Sequence, residues 1–301
     1  MLSEQDEYLH QPSKEHKWRE SYYFNWADLD NNISGFSTIG ILPNEKKREF
    51  VFLLFTKVKN EVYYKEPQFD KYSGEINEML KDKRLTYSMI LPFKKWEIKY
   101  NSRKIKFQIL FETRFPTYNF GKDSSASWHQ HFEASGNVQG SIEFNDGNLI
   151  NLKGYGQRDK SWGYRDWYQF EKWHAAHFQF KAWSATFRKD YHKGKMDLSG
   201  HVSSKKQSFP IDKIDINTVT DTDQFKSPIS AIYEFKDTSG KDYRIKSTRM
   251  FNTSFIRFVR NFPDGYTELF EQMVIIENLD TGEKGSGMME HLRTIKIKHK
   301  V

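Results

Sequence analysis

The stretch GYGQRDKSWGYRDW, Gly154–Trp167, places charged side chains beside tryptophan and glycine within fourteen residues. A carboxyl group in a partly apolar pocket can donate or accept a proton, because burial raises its pKa while a neighbouring guanidinium lowers it. We therefore take Asp159 as the candidate acid, with Arg158 and Lys160 as its catalytic neighbours. On a strand, Asp159 would share one face with Gln157, and Arg158 would share the other with Lys160.

The same stretch also supports a purely structural interpretation. Arginine can stack on tryptophan and pair with aspartate through two parallel hydrogen bonds. Arg158 and Arg165 would then close the end of a barrel, with the aspartates holding them. If the stretch binds a ligand instead, we expect Trp162, Arg165, Asp166 and Trp167 to contact it. The sequence leaves both interpretations open.

A second cluster, RESYYFNW, combines tyrosines with a carboxylate and an amide. Alternation on a strand puts Glu20 and Tyr22 on one face, and Tyr23 and Asn25 on the other. These groups can orient a carbonyl or hydroxyl of a ligand. The alternative is an aromatic-rich first strand with no site.

The third cluster is WHQHFE, in which His129, His131 and Glu133 would point the same way on a strand. Two histidines and a carboxylate are reasonable metal ligands. No third histidine is well placed, so we expect no metal. We take His131 and Glu133 as ligand-binding residues that line a pocket.

Composition narrows the function classes. Cysteine is absent, which excludes disulfides, thiolate metal sites and a cysteine nucleophile. No Walker or dinucleotide motif is present, and we expect no cofactor. The net charge is +7, but the basic residues are spread among 40 acidic ones, so we expect no nucleic-acid partner and at most weak contact with a membrane surface. The polar first twenty residues lack a signal core, which favours a cytoplasmic location.

Period-two alternation of apolar residues recurs along the chain. In KIKFQILFE, Ile105, Phe107 and Ile109 fall on one face, and Asp146-Gly147 is a strong hairpin-turn signal. Strands at such regular spacing indicate barrels or sandwiches. The pattern predicts an all-β protein with two domains, residues 15–150 and 151–301, the second opening with the glycine-rich stretch.

The whole pattern resembles the family of carotenoid 1,2-hydratase (hydroxyneurosporene synthase) and the AttH-like proteins. GYGQRDKSWGYRDW is similar to the family signature G-x-G-x-R-D-H-S-W-G-x-R-x-W, and RESYYFNW, GFSTIGILPN and GSGMMEH resemble segments of an uncharacterised branch. The likeness runs from about Trp18 to His291. One position departs from the signature, since Lys160 stands where the family has histidine.

The resemblance implies two lipocalin-like (calycin-like) antiparallel β-barrel domains packed together, with a cavity in or between them. It also implies a hydrophobic small-molecule ligand, such as an isoprenoid, a lipid or a polyketide-like compound. Relatives hydrate isoprenoid alkenes, promote intramolecular cycloadditions or bind lipids. The expected activity is acid-catalysed hydration or cyclisation of an alkene by a hydratase or cyclase; the alternative is a non-catalytic carrier. If the family histidine acts as an acid or a base, Lys160 is a poor substitute for it, because an ordinary lysine has a pKa near 10.4. The departure at this position therefore weakens the hydratase interpretation.

Overall fold

The computed structural model of the chain describes residues 2–125 and 127–297. It confirms the all-β class. Strands dominate both halves, and the described residues contain a single four-residue α-helix. The chain divides into two compact units, Met1–Arg165 and Asp166–Val301.

The first unit contains one curled antiparallel sheet of ten strands. Its order is β4-β3-β2-β1-β10-β9-β7-β6-β5, with β8 paired to β9. The elements are β1 (Trp18–Asp28), β2 (Ile33–Leu42), β3 (Lys47–Phe55), β4 (Glu61–Lys65), α1 (Ile76–Met79), β5 (Leu85–Leu91), β6 (Lys95–Asn101), β7 (Ile105–Thr113), β8 (Tyr118–Ser125), β9 (Trp128–Phe144) and β10 (Leu149–Tyr164). Two 3-10 turns, Glu4–Glu7 and Pro43–Glu45, complete the unit.

Alternating apolar residues fill the concave side of this sheet. Ile105, Phe107 and Ile109 of β7 are buried, as their spacing predicts. The core is largely aromatic, and the rings of Phe52 and Tyr100 stack with their centres 4.1 Å apart. The predicted turn at Asp146-Gly147 joins β9 to β10, and Gly147 adopts a φ of +85° that a side chain would disfavour.

The second unit is a closed barrel. Its strands are β11 (Phe170–Gln179), β12 (Trp183–His192), β13 (Lys195–Ser204), β14 (Ser208–Thr220), β15 (Pro228–Asp237), β16 (Asp242–Arg249), β17 (Phe255–Phe262), β18 (Gly265–Asn278) and β19 (Lys284–Lys296). A 3-10 turn, Trp167–Gln169, precedes them. The sheet runs β16-β15-β14-β13-β12-β11-β19-β18-β17, and pairing of β16 with β18 closes eight strands into a ring.

The units divide later than the boundary that the sequence predicts between residues 150 and 151. The reason is β10, which pairs along its length with β1 and β9 and so belongs to the first sheet. The glycine-rich stretch therefore ends the first unit. In the described part of the chain, no helix has the length and apolar character needed to cross a membrane.

Two histidines face each other inside the barrel of the second unit. His174 of β11 and His291 of β19 are register partners, and their ring centres lie 4.4 Å apart. Alternation puts them on the face of the buried core residues Ala176 and Met289. Burial, with Lys172 and Lys189 adding to it, lowers the pKa of His174 to about 4. Burial also lowers the pKa of His291.

These lowered pKa values predict a loss of stability in mild acid. The unfolded chain, with histidine pKa values near 6.5, binds more protons than the folded chain between about pH 4 and 6.5. The free energy of unfolding should therefore fall as the pH drops through this window, by about 2 kcal/mol for His174 between pH 7 and pH 5. Urea unfolding at pH 7, 6 and 5 measures the slope.

His174→Phe should reduce the dependence of the free energy of unfolding on pH. His16→Phe, at an exposed position, should leave that dependence unchanged. A His174→Phe variant with the wild-type pH slope would show that the buried pair does not set the acid sensitivity.

Candidate functional site

Strand β10 lies between β1 and β9, and its side chains point alternately to the two faces of the sheet. Arg158 pairs in register with Phe24 and Ala134, and Lys160 pairs with Tyr22 and Phe132. These residues lie on the concave, core side. The intervening residue, Asp159, points to the opposite side. Arg158 and Lys160 therefore lie on one side of the sheet and Asp159 on the other, so the three predicted catalytic residues do not come together.

On the concave face, Arg158 forms a buried ion pair with Glu7. The Nη1 and Nη2 atoms of Arg158 donate to the two carboxylate oxygens of Glu7 at 2.6 and 2.7 Å. The backbone N–H of Phe93 donates to the same carboxylate at 2.7 Å, and the Tyr22 hydroxyl donates to the Glu7 carbonyl. The predicted aspartate partner of Arg158 is therefore replaced by a glutamate 151 residues away.

Lys160 makes a second buried ion pair on this face, with Glu20. The Nδ1–H of His10 also donates to Glu20, at 2.8 Å, and the ring stacks on Trp162 with ring centres 3.7 Å apart. Burial alone would raise the pKa of Glu20, but Lys160 and His10 together hold it below the usual value. Burial lowers the pKa of Lys160, and Glu20 offsets part of that shift.

The opposite face of the same three strands carries a grid of polar side chains. Each row takes one residue from β1, one from β10 and one from β9. The rows, read from register, are Ser21–Ser161–His131, Tyr23–Asp159–Glu133 and Asn25–Gln157–Ser135. We call these nine residues the polar grid. Residues directly opposite on antiparallel strands have Cβ atoms about 5 Å apart, so Asp159 and Glu133 are neighbours.

Hydrogen bonds order the β9 side of the polar grid. Ser135 donates to the amide oxygen of Gln157 at 3.0 Å, and the Gln157 amide donates to Glu133 at 2.9 Å. The other Glu133 oxygen bonds to Nε2 of His131 at 2.7 Å. Among the described residues, the buried Nδ1 atom of His131 has no hydrogen-bond partner. A carboxylate that fixes one imidazole nitrogen leaves the other able to accept a proton.

The other predicted ligand residues lie apart from the polar grid or at its edge. Arg165 donates from Nη2 to the Ser161 hydroxyl at 2.7 Å and from Nε to the Ser127 carbonyl. Asp166 accepts from the Tyr168 N–H, and Trp167 packs edge-on against Trp173. Asp166 and Trp167 begin the second unit.

Two glycines of the signature allow β10 to approach its neighbours closely. A Cβ atom on Gly156 would lie 2.1 Å from the backbone oxygen of Asn25. Gly163 has a φ of +130°, and a Cβ there would lie 2.3 Å from the backbone nitrogen of His129. The two glycines therefore serve strand packing.

A cavity of about 530 Å³ lies in the first unit, at the end of β1 and β10 where Trp18 and Tyr164 pair in register. Its walls include the rings of Trp18, Trp128 and Tyr164 and residues of the segment 11–15. The Trp128 ring stacks on His131, with centres 4.3 Å apart. The volume lies within the range typical of small-molecule sites. Trp128 both lines this cavity and stacks on His131.

The histidines of β9 do not converge with Glu133 on one point. His129 bonds to Asp123 at 2.9 Å and is partly exposed, whereas His131 bonds to Glu133. Within the described ranges, no group of three or more histidine and acidic side chains is arranged to hold a metal ion.

Sequence reasoning missed Glu7 and His10 entirely. Both belong to a polar N-terminal segment with no strand periodicity, and nothing local links Glu7 to an arginine 151 residues later. It also passed over Gln157 and Ser135, which support Glu133, although alternation along β9 and β10 placed them on the right face.

A family profile, the domain of unknown function DUF7064, matches residues 3–295. The chain belongs to this family. No curated protein sequence matches this DUF7064 chain.

Solved structures share the fold of this DUF7064 protein at low sequence identity. CghA with Sch210972 superposes with a TM-score of 0.68 at 10% identity, covering 94% of this chain and 90% of that one. An AttH candidate from Nitrosomonas europaea gives 0.67 at 12% identity, covering 95% and 94%. Kievitone hydratase from Nectria haematococca gives 0.62 at 10%, covering 91% and 88%.

These structures confirm the resemblance and the lipocalin-like fold that the signature implies. At such identities they establish the fold alone. The chemistry of this DUF7064 protein has to be argued from its own side chains.

The close approach at Gly156 predicts a large loss of stability in Gly156→Ala. The added methyl group meets backbone rather than a movable side chain, so we expect a loss of about 2–3 kcal/mol in the free energy of unfolding. Urea denaturation of the full chain measures it.

Gly194→Ala is the matched control. Gly194 has a φ of +73° and no atom near its added methyl group, so its cost is about 1 kcal/mol from backbone strain alone. Equal costs at the two positions would contradict the packing role of Gly156.

Proposed function

We propose that this DUF7064 protein binds an apolar small molecule that contains an alkene and catalyses its hydration or cyclisation by proton transfer. The reacting groups belong to the polar grid. Asp159 is the acid, and His131, held by Glu133, is the base. The observation that supports this most strongly is the His131–Glu133 pair, which keeps a buried Nδ1 atom available on the same face as Asp159.

The neighbouring carboxyl groups favour an acid at this position. Two ionised carboxylates directly opposite on adjacent strands repel each other. Glu133 receives hydrogen bonds from His131 and Gln157, which favour its charged form. We therefore assign the role of proton donor to Asp159, which is only partly buried.

Hydration takes two proton transfers. The Asp159 carboxyl gives its proton to one alkene carbon, and the π electrons form the new C–H bond and leave a cation on the other carbon. A water oxygen bonds to the cation and loses a proton to Nδ1 of His131. Exchange with solvent returns that proton to Asp159, so the net reaction adds one water molecule. In a cyclisation, the π electrons of a second alkene of the ligand bond to the cation in place of water. The new cation then loses a proton from a neighbouring carbon to Nδ1 of His131, so the net reaction is an isomerisation.

The cavity that Trp128 lines has the volume of a small-molecule site, and its walls combine aromatic rings with polar side chains. Its aromatic walls offer π faces to a developing cation, which gains about 2 kcal/mol from a desolvated ring. The sequence predicts that Trp162 and Trp167 contact the ligand. Trp162 packs with Trp18 and Phe132 but does not line the cavity, and Trp167 lies in the second unit. The role therefore passes to Trp128.

Isotope labelling tests the proposal. Lipophilic material that co-purifies with the protein is identified by mass spectrometry and then incubated with fresh protein in ¹⁸O-labelled deuterated water. Hydration predicts ¹⁸O and deuterium in the product, and cyclisation predicts deuterium alone. Asp159→Asn should lower the labelling rate at least 100-fold, because it removes the proton donor.

The exposed Asp30→Asn serves as the control and should keep the wild-type rate. A bound but unlabelled ligand in the wild type would contradict catalysis and support the carrier alternative. Wild-type labelling in folded Asp159→Asn would contradict the role of Asp159 while leaving the activity in place.

A further inference from the structure

We propose that the concave face of the first sheet is a second ligand site, specific for an apolar carboxylate, and that the segment Leu2–Gln11 of the chain itself occupies it. This site is separate from the polar grid, because it lies on the opposite side of the same strands. The proposal goes beyond the proposed function and does not depend on it.

The site centres on a buried guanidinium. Arg158 is 1% exposed. Its guanidinium carbon lies 5.7 Å from the ring centre of Phe24, 5.1 Å from that of Trp96 and 5.5 Å from that of Phe132. A planar guanidinium among aromatic rings binds a carboxylate through two parallel hydrogen bonds and the apolar part of the same molecule through the rings.

Glu7 is held as a bound carboxylate would be held. It is 0% exposed and receives three donors: both Nη atoms of Arg158 and the Phe93 N–H. Leu9 packs against the apolar core, and Leu2 packs against the cluster of Trp18, Phe132 and Trp162. The segment therefore presents one carboxylate flanked by aliphatic groups.

Side chains, rather than strand pairing, attach this segment to the sheet. Its backbone–backbone hydrogen bonds in the described structure are local, from Asp6 to Ser3 and from Tyr8 to Gln5. The other links are the Glu7 contacts, the His10 contacts to Glu20 and the bond from the Tyr72 hydroxyl to the His10 carbonyl. A few side-chain contacts can be exchanged for those of a ligand without unzipping a strand.

The charges on this face select the ligand class. Arg158 and Lys160 are the buried cations, and Glu7 and Glu20 are their anions. When Glu7 is withdrawn, Glu20 alone of these two carboxylates remains beside Arg158 and Lys160. Because an unpaired buried charge is strongly unfavourable, the vacated position favours a monoanion over a neutral ligand. The apolar surroundings favour an alkyl or aryl carboxylate.

Calorimetric titration with decanoate, and with decanol as the neutral probe, tests the proposal. Glu7→Ala vacates the carboxylate position and should bind decanoate at least ten-fold more tightly than the wild type does. Its affinity for decanol should change less than three-fold. The double variant Glu7→Ala/Arg158→Met should lose the gain, and Glu4→Ala, which removes an exposed carboxylate of the same turn, should behave as the wild type.

If Glu7→Ala fails to fold, hydrogen exchange of the wild-type chain tests whether decanoate displaces the segment. Saturating decanoate should displace the segment and raise exchange across residues 2–11, while decanol should not. The proposal is overturned if folded Glu7→Ala gains no affinity for decanoate, if decanol gains equally, or if decanoate leaves exchange of residues 2–11 unchanged in the wild type.

Discussion

The register of β10 between β1 and β9 is the constraint on which both faces of the first unit depend. Because side chains alternate along a strand, a shift of one residue would exchange the two faces. In the observed register, Arg158 and Lys160 meet carboxylates on the core side, and Asp159 meets Tyr23 and Glu133 on the other. Gly156 permits the contact with β1 that fixes this register.

Buried cations make the register hard to change. An ammonium or guanidinium loses several kcal/mol of solvation when it is buried, and a paired carboxylate with additional hydrogen bonds is needed to recover it. Glu7 and Glu20 supply those carboxylates, and Phe93 and His10 complete their hydrogen bonding. The same interactions anchor the N-terminal segment, so Arg158 and Lys160 of the signature serve structure.

Much of this arrangement was predictable from the sequence because it depends on local periodicity. Alternation placed Asp159 with Gln157 and opposite Lys160, and it placed Tyr23 with Asn25. The turn at Asp146-Gly147 and the all-β class follow from equally local signals. The resemblance supplied the lipocalin-like fold, which periodicity alone does not distinguish from other sheets.

The rest depends on contacts between distant parts of the chain. No local sequence pattern predicts the ion pair between Glu7 and Arg158. The curvature of the ten-stranded sheet determines where Glu7 meets Arg158. The composition of β10 likewise did not show that this strand belongs to the first unit. Its pairing with β1 and β9 determines its unit. The placement of Asp166 and Trp167 in the second unit follows from the same division.

The central claim is that the signature assigns structure to one face of β10 and chemistry to the other. Urea unfolding of two variants at adjacent positions tests it most directly. Arg158→Met leaves Glu7 buried without its cation and should lower the free energy of unfolding by about 3–5 kcal/mol, whereas Asp159→Asn should change it by less than about 1 kcal/mol. Similar losses in the two variants would contradict the account, because Asp159 would then be as much a part of the framework as Arg158.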